Sequence, residues 1–68
     1  MPEDHISALS QTRANLVAER RAYADKLAGH GERHDMERWR QIFVDIQTAI
    51  EVVDAAIRDE TRLLPEMA

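Results

Sequence analysis

His30 and His34 are the first residues whose spacing suits chemistry. Four apart on a helix, two imidazoles share one face and can hold a metal such as zinc. Gly31 lies between them, where a helix is not expected to have begun. Asp35 and Glu37 offer nearby oxygens but complete no ligand signature, and His5 lies too far along the chain to join, so a solvated loop is expected. The catalytic inventory is equally thin. There is no cysteine nucleophile, and the hydroxyls are confined to Ser7, Ser10, Thr12, Tyr23, Thr48 and Thr61. Gly29 and Gly31 lack the spacing of a phosphate loop and the Lys-Ser/Thr that follows it. The carboxylates Asp45, Glu51, Asp59 and Glu60 lack the Glu-x-x-His interval of di-iron bundles. The chain reads as non-enzymatic, with neither cofactor nor metal expected.

The strongest surface candidate is basic. Arg33, Arg38 and Arg40 flank Trp39, while Arg20, Arg21 and Lys26 approach from the preceding segment. Arginine beside an exposed aromatic binds phosphate and stacks on bases, or anchors a protein interface. The alternative is that Trp39 closes the end of a core while the arginines pair with Glu32, Asp35 and Glu37. Overall charge opposes a simple nucleic-acid binder: 9 basic against 13 acidic residues leave a net −4. Its distribution is uneven. Positions 20–40 carry six basic and four acidic residues, net +2, and the remainder carries three basic and nine acidic, net −6.

The 68 residues form one domain, at a size where a single core is marginal. Apolar residues at 44% and charged ones at 32% fit a folded chain rather than a disordered one. Without cysteine there is no disulfide framework, no apolar run approaches the length of a membrane span, and the start Met1-Pro2-Glu3-Asp4-His5 is unlike a signal peptide. A cytoplasmic location and no membrane association are expected.

The elements that must position these residues are helices. Pro2 and Pro65 lie at the ends, both glycines lie together near the middle, and no hairpin-type strand signal occurs. The pattern predicts an all-α antiparallel two-helix hairpin over residues 1–68: a helix over about 4–28, a turn over about 29–32 and a helix over about 33–64. Asp4 is the expected N-cap of the first helix, Glu32 or Asp35 starts the second, and Gly29 is the expected left-handed cap.

In the second helix Met36, Trp39, Phe43, Ile46, Ile50, Val53, Ile57, Glu60 and Leu64 alternate steps of three and four, an a/d seam interrupted at Glu60. A seven-residue ladder of Ile42, Ala49, Ala56 and Leu63 runs beside it. Together they cover an arc of roughly 160°, more than one neighbouring helix covers. The first helix's seam, Ile6, Leu9, Arg13, Leu16, Arg20, Tyr23 and Leu27, places two arginines at core positions, with Val17, Ala24 and Ala28 along one flank. Each guanidinium must snorkel to water or meet an acid. A turn centred near His30 sets Arg13 opposite Thr48 and Arg20 opposite Gln41, with Asp45 the acid nearest both.

The second helix is the longer, so its last turns, Ile57 to Leu64, should overhang with little opposite them. The wide stripe predicts dimerisation into a four-helix bundle through Trp39, Ile42, Phe43, Ile46, Ile50, Val53, Ile57 and Leu64, with a hetero-partner as the rival. The arrangement resembles the small Rop-type RNA-binding hairpin dimers in architecture alone, and no motif transfers a residue role. Trp39 is followed by Arg40 and Gln41 without the Gly two places on that marks the small secreted WXG-type hairpins. The expected function is a self-associating module for protein–protein interaction. The alternative is a nucleic-acid-binding regulator using Arg20, Arg21, Arg33, Arg38, Trp39 and Arg40.

Overall fold

The computed structural model describes residues 2–29 and 33–64. They form two α-helices, α1 (Pro2–Ala28) and α2 (Arg33–Arg62), packed against each other as a hairpin. Proline suits the first turn of α1, where its missing N–H has no intrahelical partner and its fixed φ already matches the helix. Because α1 begins at Pro2, Asp4 is not the N-cap expected of it; it lies inside the first turn, where a carboxylate still meets the positive end of the helix dipole. The earlier start also brings α1 to 27 residues against 30 in α2, so the overhang is about one turn. In the final turns Ile57 and Leu64 are half-covered, while Leu63 is 61% exposed.

Gly29 differs from the reading of it as a left-handed cap. Its φ is not positive, and its N–H donates to the Asp25 carbonyl at 2.9 Å, so the helical hydrogen-bond pattern runs on through it. The other end closes differently. The Leu63 N–H donates to the Asp59 and Glu60 carbonyls at 3.1 and 3.2 Å, and that of Leu64 to Thr61 at 3.2 Å, a tightening that satisfies carbonyls left over at a helix terminus. The rest of the expected turn, residues 30–32, lies outside the described residues.

The hairpin is a rod of 57 × 14 × 14 Å with a radius of gyration of 15.9 Å, where a compact chain of this length has about 11 Å. A rod two helices thick has almost no interior. Among the described residues only Ile46 and Ile50 are buried, Ile50 at 2% exposure, and both lie on the seam of α2. Met36, Trp39, Ile42, Phe43, Val53 and Ile57 are half-covered, as are Ile6, Leu9, Leu16, Val17, Tyr23 and Leu27 of α1. No helix of the described residues is long and apolar enough to cross a membrane.

Candidate interaction surface

The two seam arginines show how α1 reads α2. Arg13 Nε donates to Asp54 Oδ1 at 2.6 Å and Nη2 lies 3.4 Å from Oδ2, with the two side chains 44% and 33% exposed. Arg20 Nη1 donates to Gln47 Oε1 at 2.9 Å, and Gln47 Nε2 donates in turn to Glu51 Oε2 at 3.0 Å. Both partners lie six residues beyond Thr48 and Gln41, the positions expected opposite them. Side chains of α1 lean toward its N-terminus, and an extended guanidinium adds several ångströms in that direction, which is the C-terminal direction of the antiparallel α2. Asp45 therefore serves neither arginine and accepts from Gln41 Nε2 at 2.9 Å instead. The Asp54 carboxylate, through its hydrogen bond first and its charge second, raises the Arg13 guanidinium pKa above its ordinary value.

These polar links occupy one edge of α2. At 100° per residue, Gln47 and Asp54 fall about 80–100° to one side of Ile46, which faces α1. The ladder Ile42, Ala49, Ala56 and Leu63 falls 40–100° to the other side, followed by Val52. Val52 is 63% exposed and Leu63 61%. The hairpin thus has a polar edge on one side of α2 and on the other a ladder of apolar residues, with Arg38, Asp45 and Glu60 set among them.

At the tip, Trp39 is half-covered, and the Lys26 ammonium lies 5.5 Å from the centre of its ring and 4.9 Å from that of Tyr23. One cation bridging an aromatic on each helix ties the end of the hairpin together. The sequence places Lys26 near this region, but its double ring contact depends on the register between helices and is not legible from spacing. Arg20 is engaged by Gln47 and so is not part of a free basic surface. Arg21 is exposed on α1. Arg38 and Arg40 meet no carboxylate among the described residues and border an open trough with Glu37, Gln41, Ile42 and Val44.

The side chain of Arg33, the pairing of Arg33 with Glu37 and the His30–His34 pair lie outside the described residues. Among the described residues no cluster of three or more His, Asp or Glu side chains is placed to hold a metal ion. Of the eight residues expected to mediate self-association, Ile46 and Ile50 are buried within the hairpin, while Trp39, Ile42, Phe43, Val53, Ile57 and Leu64 remain half-covered. Compared with known proteins, the chain matches no family, and no curated protein or solved structure shows significant similarity to it.

Proposed function

We propose that the chain is a non-enzymatic helical module that works by self-association, two hairpins packing into a four-helix bundle with the two α2 helices at its centre, and that it serves protein–protein interaction. The supporting observation is the exposed area. The chain exposes 5385 Å², where a compact monomer of its 7.8 kDa exposes about 4400 Å². The difference of about 1000 Å² is comparable to the roughly 800 Å² that each partner contributes to a standard interface. A second copy laid along the broad stripe of α2 would cover the half-covered residues in one step. Light scattering at micromolar concentration tests this reading: a mass of two chains is expected, and a stable folded single chain contradicts it.

The second reading, a nucleic-acid contact, is favoured by one observation: among the described residues Arg38 and Arg40 meet no carboxylate. Against it, Lys26 lies over the Trp39 ring, which limits stacking of a base there. This reading predicts RNA or DNA binding that weakens steeply with added salt and is lost in an Arg38→Ala, Arg40→Ala variant. An absence of binding at low salt removes it.

A further inference from the structure

The geometry points to a defined dimer seam: the apolar edge of α2, formed by Ile42, Ala49, Val52, Ala56 and Leu63, packs antiparallel against the same edge of a second copy of this chain. The inference rests on the self-association proposed above and adds which edge is used and in which orientation.

The edge is suited to a second helix. Ile42, Ala49, Ala56 and Leu63 recur every seven residues, the interval that keeps a row facing its partner when two helices supercoil. The two alanines allow close approach. Val52 and Leu63 are more than 60% exposed in the single hairpin, so α1 does not cover them. The opposite edge of α2 is already occupied by the Arg13–Asp54 pair and the Arg20–Gln47–Glu51 chain.

Charge selects the orientation. Beside the apolar ladder, again at seven-residue steps, runs the row Arg38, Asp45, Val52 and Asp59. In a parallel pairing each residue meets its own copy, so Arg38 faces Arg38 and Asp59 faces Asp59. In an antiparallel pairing that brings the two rows together, Arg38 of one copy comes within about a turn of Asp59 of the other, at both ends of the seam. Asp59 already pairs with Arg62 three residues on, but that pair is exposed and weak. Asp45 stays near the middle, held by Gln41. The whole rod repeats the argument: the segment 20–40 carries net +2 and the rest net −6, so antiparallel packing sets opposite charges side by side.

Because the chain has no cysteine, a single introduced thiol reports the orientation. A spin label at Thr61→Cys, an exposed position near the end of α2 and off the apolar edge, lies about 10 residues from the middle of the seam, which falls near residue 50. At about 1.5 Å per residue, antiparallel copies hold two such labels about 30 Å apart. Parallel copies, with helix axes about 10 Å apart, hold them within roughly 20 Å. The mass of the labelled protein is measured on the same sample. A mass of two chains with the long separation supports the seam. A mass of two chains with the short separation overturns the antiparallel orientation while leaving self-association standing. A single-chain mass overturns both. The charge exchange gives a readout independent of the label. Arg38→Glu alone and Asp59→Arg alone should each weaken dimerisation roughly three- to tenfold at low salt, and the double variant should recover it. Failure of the double variant to recover contradicts the Arg38–Asp59 contact.

Discussion

Arg13 occupies a position that the seam of α1 assigns to apolar residues, yet it carries no buried charge. Its guanidinium reaches the rim and meets Asp54 with both side chains partly in water, so the pair adds little net stability and Arg13→Met should leave the urea midpoint nearly unchanged. Urea titration checks this, and a large fall in the midpoint would mean a far drier pair than the observed exposure indicates. The direction of the Arg13 shift also fixes its pH behaviour. A basic group whose pKa is raised on folding gives stability that is complete below its ordinary value and is lost only as pH rises through the higher folded value. The difference between wild type and Arg13→Met should therefore be the same at neutral and mildly alkaline pH. Gly29 gives the complementary case. With no positive φ to protect, Gly29→Ala should leave thermal stability within about 1 kcal/mol of wild type, the entropic gain being limited by the Asp25 carbonyl 3.2 Å from the new methyl. A loss of several kcal/mol would indicate a left-handed Gly29 instead.

At the scale of the element, α2 carries the fold. Its seam supplies both side chains buried among the described residues, and Ile50→Ala should cost about 2–5 kcal/mol through lost contacts and a residual cavity. Val44 lies on the outer face of the same helix, more than half exposed, and Val44→Ala should cost under about 0.5 kcal/mol. Comparing the two by circular-dichroism melting tests the assigned faces, and equal losses would contradict them. The three-and-four spacing of Met36 to Leu64 made this helix legible in sequence, and the paired glycines located the turn. The contacts between helices were not legible. Spacing assigns Arg13 and Arg20 to a face, but their partners depend on the lean and length of the side chains, which carried them past Thr48 and Gln41 to Asp54 and Gln47. Gly29 departs from the expected cap for a related reason: glycine permits a left-handed cap without requiring one, and here the chain completes a helical hydrogen bond instead.

The whole molecule is a thin rod with a charge gradient along its length and an apolar edge along α2. In this shape most of the seam residues keep part of their surface wet, and the excess area over a compact monomer is about that of one side of a standard interface. In the proposed dimer a second copy supplies the missing cover, and its burial would link folding to concentration. The most direct test is the thermal midpoint of the wild-type chain measured from low micromolar to millimolar concentration. Association of folded chains predicts a midpoint that rises steadily with concentration, together with a two-chain mass below the transition. A midpoint that does not move over this range, with a single-chain mass throughout, would contradict the proposal that the hairpin is completed by its own copy.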